Sequence, residues 1–230
     1  MALRECQLCK GYAENYKSSG AIHVDNKPNI LFNASFWRPD KVNILFIAES
    51  PPFHSKKANV VNDGYFYNPN ESQRFYGSPS PLLGTLSWNL FKLLNIESKL
   101  TKHQKLERFK DLNCNYIDAV KCRVERFNNK IIINKTIKNC SEYLQEEIVE
   151  AKPAAMVIMG STALNALKCF SPFKDELQNN KLNALAEETR KQPIVIQNSA
   201  LFFIPLPIWR NRAYLEIIDD TFEQLRKKYL

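Results

Sequence analysis

The chain has 230 residues and a formal net charge of +8, with 32 lysines and arginines against 24 aspartates and glutamates. Its 44% hydrophobic content is ordinary for a globular core, and no apolar run reaches the roughly 18 residues that a membrane-spanning helix needs. These values exclude a membrane-spanning helix and fit one large domain, which we expect to cover residues 1–230.

The basic surplus favours an anionic partner, and nucleic acid is favoured over a membrane because no basic amphipathic anchor stands out. A solvated surface explains the charge equally well. The first 20 residues are polar and charged, unlike a secretory signal. We therefore expect a cytoplasmic, monomeric protein without a membrane partner. Its six cysteines are then metal ligands or reduced thiols rather than disulfides.

Two strands and two helices are predicted in the first half of the chain. Residues 43–48 form a continuous apolar run typical of a buried strand, which ends in the proline-stiffened loop 49–52. Leucines at helical spacing predict a helix over 81–95, and a second helix is predicted over 101–112. A short second strand is predicted at 116–120.

The second half continues this alternation. Its predicted segments are helices at 141–151, 162–168 and 219–228 and strands at 154–159, 194–197 and 201–205. Strands that alternate with helices imply a parallel sheet covered on both faces, an α/β fold. In such sheets the ligand crevice lies beyond the carboxyl ends of the strands. The loops predicted at those ends cover residues 49–52, 121–123, 160–161 and 205–212.

Four cysteines form a pattern that indicates a metal centre. Cys6 and Cys9 are separated by two residues, so one tight turn can present both sulfurs, whereas Cys122 and Cys140 are far apart. Thiolates are soft ligands for zinc or for iron–sulfur clusters. The spacing differs from the paired knuckles of a zinc ribbon, and buried structural thiols are the alternative. A shared centre would pin the N-terminal segment to the body of the fold.

Several short motifs follow one another along the chain in a specific order. They are Cys6-Gln-Leu-Cys9, Glu49-Ser50-Pro51, Phe75-Tyr76-Gly77, Val120-Lys121-Cys122-Arg123, Cys140-Ser141-Glu142-Tyr143-Leu144, Lys152-Pro153, Gly160-Ser161-Thr162-Ala163 and a Pro-x-Pro loop that starts at Pro205. No single motif is specific. Their order and spacing resemble the uracil-DNA glycosylase superfamily, and most closely its iron–sulfur type, often called family four.

The resemblance implies a fold, a cofactor and an activity. The fold is a three-layer α/β/α sandwich around a central, mainly parallel four-stranded sheet. The cofactor is a [4Fe–4S] cluster held by Cys6, Cys9, Cys122 and Cys140. The activity is DNA repair: a damaged nucleotide is flipped into a pocket at the strand ends, and the N-glycosidic bond of a deaminated base, uracil or a related one, is hydrolysed.

Glycosidic cleavage creates a cationic sugar and an anionic base, so the site needs a carboxylate near the sugar and donors near the base. The resemblance gives the first role to Glu49 and places Ser50, Pro51 and Phe75 around the base. Stacking on Phe75 would be worth about 1–3 kcal/mol. The alternatives are a loop glutamate that caps or faces solvent and an ordinary core aromatic.

The resemblance also implies contacts with the DNA backbone and duplex. Arg210 and Arg212 fall in the loop that grips the backbone, although each fits a plain surface arginine equally well. Leu206 stands where the family has the histidine of a His-Pro-Ser loop, and it could wedge into the duplex instead. The same loop therefore lacks the imidazole that would stabilise a uracil anion.

Two further departures affect the base pocket. Ala48 and Pro52 replace the glycines of the family's Gly-Glu-x-Pro-Gly loop, and Pro52 removes an amide donor. Asp118 replaces the base-reading asparagine, and an ionised carboxylate only accepts hydrogen bonds. Such a mispaired contact costs about 1–3 kcal/mol. Asp118 is therefore protonated, or the pocket takes another base, or it takes none.

Three other functions fit parts of the pattern. An abasic-site lyase would tolerate the altered base-reading residues and needs an amine nucleophile, for which Lys56, Lys57 and Lys121 are candidates. A non-catalytic binder of damaged or single-stranded DNA fits the basic surplus and the aromatic residues between Tyr65 and Tyr76. A nucleotide-binding sandwich unrelated to repair lacks a phosphate-cradling glycine loop.

Overall fold

A computed structural model describes residues 34–50, 65–70, 85–121 and 130–230. Five strands form one sheet in the order β2-β1-β3-β5-β4. The strands are β1 (Ile44–Ala48), β2 (Cys114–Asp118), β3 (Ala155–Met159), β4 (Ile194–Ile196) and β5 (Ser199–Ile204). All pairs are parallel except β4 with β5, which form an antiparallel hairpin at one edge.

Seven α-helices and two 3-10 helices lie in the described ranges. The α-helices are α1 (Leu86–Leu93), α2 (Lys102–Asp111), α3 (Lys130–Ala151), α4 (Ser161–Leu167), α5 (Phe173–Leu177), α6 (Leu182–Thr189) and α7 (Leu215–Tyr229). The 3-10 helices cover Ala34–Trp37 and Trp209–Tyr214. Within the same ranges, no helix combines the length and apolarity needed to cross a bilayer.

The central strands are apolar on both sides because each face carries its own core. Ile44, Phe46 and Ala48 of β1 join a cluster with α1, α2 and α7. Leu45 and Ile47 join a second cluster with α3, α4 and α5. The period-2 alternation of a strand sends neighbouring residues to opposite faces. The result is the predicted three-layer α/β/α sandwich.

The side chain of Tyr67 covers the edge of β2 that faces away from β1. The hydroxyl of Tyr67 accepts from the backbone N–H of Tyr116 at 2.9 Å and lies 2.8 Å from the carbonyl oxygen of the same residue. Its neighbour Phe66 stacks on the Tyr116 ring with centroids 4.1 Å apart. Unpaired edge groups invite association with other strands. Tyr67 and Phe66 therefore protect and position the strand that ends at Asp118.

Several predicted boundaries need correction. The sheet has the five strands predicted along the chain rather than the four that the resemblance implies, because the short β4 adds an antiparallel edge. β2 begins and ends two residues before the predicted 116–120. α3 starts at Lys130 rather than 141, since Ser141 does not begin the helix and instead donates to the carbonyl of Lys138 within it, at 2.7 Å. α5, α6 and both 3-10 helices were not predicted.

Candidate active site

The carboxyl ends of the parallel strands bring the predicted loops together. Glu49 follows β1, Asp118 ends β2, Gly160 follows β3 and Pro205 follows β5. Because β1 lies between β2 and β3, Glu49 has Asp118 on one side and Gly160 on the other. The pairing of β1 and β2 continues past their ends, where Val120 N–H donates to the Glu49 carbonyl at 2.9 Å. This arrangement places two carboxyl groups at the same end of the sheet, where the parallel strands have their carboxyl ends.

Glu49 lies directly against Gly160. The backbone of Gly160 has φ +92°, and a Cβ built there would stand 3.0 Å from Glu49 Oε1. A side chain at position 160 would therefore be strained by its backbone and would collide with the carboxylate. The hydroxyl of Thr162 donates to the same Oε1 at 3.2 Å. The half-buried Glu49 is thus oriented by the turn between β3 and α4.

Asp118 is 3% exposed. Its Oδ1 accepts from the Tyr116 hydroxyl at 2.9 Å, while the buried Oδ2 has no hydrogen-bond partner in the described part of the chain. Burial raises the pKa of Asp118 to about 7 against the opposing effects of Tyr116 and Lys121. Near neutral pH, the carboxyl group is therefore present both as an acid and as an anion.

The ammonium of Lys121 ties the end of β2 to α3. Its Nζ donates to the Asp118 carbonyl oxygen at 2.5 Å and forms an ion pair with Glu147. Lys121 is 2% exposed, so this cation depends on its acceptors. An amine nucleophile would have to give up both contacts. Lys56 and Lys57, the other amines considered for a lyase, lie outside the described residues.

The loop after β5 is held by two asparagines. Asn89 Nδ2 of α1 donates to the Pro207 carbonyl at 2.7 Å, and Asn211 Nδ2 donates to the Leu206 carbonyl at 2.8 Å. Leu206 is half-buried and packs against the cluster of α1, α2 and α7. Arg212 is exposed on the 3-10 helix that follows. The predicted DNA-contacting loop is thus fixed at its base.

The aromatic segment before α1 belongs to the core. Tyr65, Phe66 and Tyr67 are each at most 3% exposed, and all three belong to the cluster of α1, α2 and α7. Their rings cannot stack on nucleic-acid bases without unfolding this cluster. This removes the first part of the aromatic segment that favoured a binder of single-stranded DNA; Phe75 and Tyr76 lie outside the described residues.

The remaining predicted residues differ in what the structure says of them. Ser50 is half-buried directly after Glu49, and Cys140 is buried on α3, in the cluster with Ile137 and Leu144. The predicted residues Cys6, Cys9, Pro51, Phe75 and Cys122 and the side chain of Arg210 lie outside the described residues. No group of three metal-binding side chains occurs among the residues that are described.

Sequence analysis missed Thr162, Tyr116 and Asn89 as members of this region. The contact of Tyr116 with Asp118 could have been predicted, because residues two apart on a strand face the same side and Asp118 lies two positions later. For Thr162 the indication was weaker and consisted only of its position just after Gly160. For Asn89 there was no indication, since its contact with Pro207 spans 118 residues of chain.

A different concavity, of about 490 Å³, lies at the opposite end of the sheet. It is lined by Asn43, Ala154 and Ser199, which precede or begin β1, β3 and β5. The only ionisable residues in its described lining are Lys41 and Lys152. It therefore offers no carboxylate chemistry. The candidate active site is the opposite end of the sheet, at the carboxyl ends of the parallel strands, where Glu49 and Asp118 lie.

Comparison with known proteins identifies the family of the chain. The family described as "Uracil DNA glycosylase superfamily" matches residues 35–229, a span that includes Glu49, Asp118 and Gly160 but neither Cys6 nor Cys9. A search of curated proteins finds no match. Because the family match covers most of the 230 residues, the chain belongs to the uracil-DNA glycosylase superfamily.

Proposed function

We propose that this protein is a DNA repair glycosylase that hydrolyses the N-glycosidic bond of a deaminated base, uracil or a related one. The observation that carries the proposal is the position of Glu49, held against Gly160 beside the end of β2. Cleavage builds positive charge on the sugar, and a fixed carboxylate beside the sugar would stabilise that charge. The net charge of +8 suits a DNA substrate.

In this mechanism Glu49 orients the attacking water and stabilises the cationic sugar. A carboxylate has about four acceptor positions, so the bond from Thr162 orients the group without exhausting its capacity to accept from water. Asp118, at the end of the neighbouring strand, reads the edge of the flipped base. Ser50, Pro51 and Phe75 complete the base pocket in this proposal.

The loop after β5 would contact the DNA. Leu206 supports the flipped state from the duplex side, and Arg210 and Arg212 neutralise phosphates. Asn89 and Asn211 supply the rigidity that this role needs, because they donate to two adjacent carbonyls at the start of the loop. We propose that the protein acts on DNA as a monomer.

We also propose a [4Fe–4S] cluster bound by Cys6, Cys9, Cys122 and Cys140. Support comes from the four-cysteine pattern and from its resemblance to the iron–sulfur type of the superfamily. The cluster would serve as a structural staple that pins the N-terminal segment. Iron and zinc analysis of freshly purified protein, together with visible absorbance, tests this; stoichiometric zinc without iron would refute it.

The activity is tested with oligonucleotides that carry uracil, hypoxanthine or xanthine. We expect alkali-labile sites with at least one of them and their loss in Glu49→Gln. Glu188→Gln, an exposed glutamate on α6, is the matched control and should remain active. A complete lack of cleavage on all three substrates, or full activity of Glu49→Gln, would refute the proposal.

Lyase chemistry has less support, since Lys121 is engaged with Glu147 and the Asp118 carbonyl. Borohydride treatment with abasic DNA distinguishes the two reactions. A hydrolase leaves no covalent adduct, whereas a trapped adduct on Lys121 would favour the lyase.

A further inference from the structure

We infer that Asp118 reads the base as a neutral carboxylic acid, so that this site selects bases with a keto–imino edge, such as uracil and hypoxanthine, and loses that selection as pH rises past neutrality. This inference rests on the function proposed above. It gives the same site a chemical class of base and a pH dependence.

The position of Asp118 suits this role. It is the last residue of β2 and pairs in register with Ala48, the last residue of β1. Glu49, the residue that would serve the sugar, follows directly after β1. A base and its sugar are covalently joined, so the groups that recognise them must lie at the same end of the sheet, and the charge of Glu49 does act on Asp118.

The two oxygens of Asp118 are in different states. Oδ1 accepts from the Tyr116 hydroxyl at 2.9 Å. Oδ2 is buried and lacks a hydrogen-bond partner among the described residues. Buried polar atoms almost always have a partner. An orphaned oxygen beside the proposed catalytic glutamate is the state expected of an atom reserved for a ligand.

The charged surroundings decide the protonation of this carboxyl group. Burial raises the pKa of Asp118 most strongly; the Tyr116 hydroxyl and the Lys121 ammonium lower it, and the charges of Glu147 and Glu49 raise it again. The result is a pKa of about 7. Asp118 is thus a neutral acid below this pH and a carboxylate above it.

Two further phenols interact with the same carboxyl group and do not compete for its proton. Burial, followed by the charge of Asp118, raises the pKa of Tyr65. Burial is also the main cause that raises the pKa of Tyr67. Both side chains stay neutral across the physiological range, so the Asp118 carboxyl is the group of this set that changes charge near neutrality.

The neutral acid has the donor and acceptor that a keto–imino edge requires. Since Tyr116 donates to Oδ1, the proton resides on Oδ2. Oδ2–H can then donate to a base carbonyl, while the second lone pair of Oδ1 accepts from the adjacent ring N–H. Cytosine and adenine present the reverse order in the same pose and would be rejected.

Ionisation removes the donor. The carboxylate would then oppose the lone pairs of the base carbonyl, and binding of the keto–imino edge would weaken by about 10-fold to 100-fold. Uracil recognition by the wild-type protein therefore falls as pH rises through about 7. An amide at this position carries a donor at every pH.

The first test measures kcat/KM for uracil excision across pH in the wild type, Asp118→Asn and the control Asp111→Asn, an exposed aspartate on α2. We expect the wild type and the control to lose activity above pH 7 and Asp118→Asn to keep it. Identical profiles for the wild type and Asp118→Asn, with both active, would overturn the inference while leaving the proposed function intact.

A second measurement does not depend on catalysis. The protein's affinity is measured for two oligonucleotides, one with a cleavage-resistant 2′-fluoro-substituted deoxyuridine and one with cytosine at the same position. Each is measured at a pH about one unit below and at a pH about one unit above the Asp118 pKa of about 7. Since the neutral fraction of Asp118 changes about 10-fold between the two conditions, we expect the uracil preference of the wild type to drop by about 5-fold to 10-fold, and that of Asp118→Asn to stay constant. An unchanged wild-type preference refutes the inference even if no variant cleaves DNA.

Tyr116→Phe covers the case in which Asp118→Asn fails to fold. Phenylalanine keeps the ring that stacks on Phe66 and removes the hydroxyl that lowers the Asp118 pKa. The alkaline loss of uracil recognition should then shift to higher pH, and discrimination against cytosine should weaken because the order of donor and acceptor is no longer fixed. A shift to lower pH would contradict the inference.

Discussion

The two carboxyl groups at the ends of β1 and β2 are neighbours with opposite surroundings. Glu49 is half-buried and accepts from Thr162 at 3.2 Å, whereas Asp118 is 3% exposed and keeps one oxygen without a partner in the described chain. Environment rather than residue type divides acid and base roles between paired carboxyl groups. Here it suits Glu49 to act as an anion toward the sugar and Asp118 to act as an acid toward the base.

The largest expected effect comes from removing the charge of Glu49. Glu49→Gln keeps the shape and should lower single-turnover excision by about 100-fold to 10,000-fold, the usual range for a lost general base. Measuring the rate beside Glu188→Gln separates this from a general effect of the substitution. A loss below 10-fold would mean that Glu49 is not the group that serves the sugar.

Asp118→Asn should change the pH dependence of stability. The folded pKa of Asp118 is raised from 3.8 to about 7, so between these values the folded protein keeps a proton that the unfolded chain has lost. The wild-type free energy of unfolding therefore falls with rising pH across this window, and the loss is complete above it, reaching roughly 4 kcal/mol at most.

The Asp118→Asn variant lacks this pH-dependent contribution to the free energy of unfolding. Its stability relative to the wild type should rise from about pH 4 to about pH 7 and then level off. Urea titrations of both proteins at several pH values measure the difference. A constant difference across the window would show that Asp118 is ionised throughout and would remove the contrast with Glu49.

Gly160→Ala tests whether the turn after β3 positions Glu49. A methyl group at φ +92° and 3.0 Å from Oε1 should cost about 1–3 kcal/mol of stability and displace the carboxylate. Misplacing a catalytic group by about 1 Å can lower the rate about 100-fold, so the smaller shift expected here should lower it by less than that. Ser161→Ala, one residue later and exposed, is the control for thermal melts and rates; equal behaviour of the two variants would contradict the role of Gly160.

Much of this site was predictable because topology and apolar patterning set it. The continuous runs of β1 and β3 identified buried parallel strands, and their carboxyl ends located Glu49 and Gly160. The substitution of Asp118 for an amide was visible in the sequence. Its protonation was not, because that depends on burial and on Tyr116, Lys121 and Glu147 acting together.

Contacts between distant turns were also beyond sequence analysis. Glu49 and Thr162 are 113 residues apart, and periodicity reports which face a residue occupies but not which turn lies against it. The start of α3 was misplaced for a local reason. Ser141 resembles a residue that begins a helix, yet here its hydroxyl bonds back to Lys138 inside one.

Thr162→Val gives the smallest expected effect and the finest test of the contrast between the two carboxyl groups. The substitution keeps the shape of the side chain and removes the hydroxyl that donates to Glu49 Oε1 at 3.2 Å. A hydrogen bond to a charged group contributes about 1.5–3 kcal/mol, and half-exposure of Glu49 should reduce this toward the lower end, so the rate should fall by about 10-fold. Because Thr162 follows β3, which lies on the far side of β1 from β2, the pH midpoint of uracil recognition should not move. A shifted midpoint with an unchanged rate would mean that the two carboxyl groups act as one coupled unit rather than as a separate anion and acid.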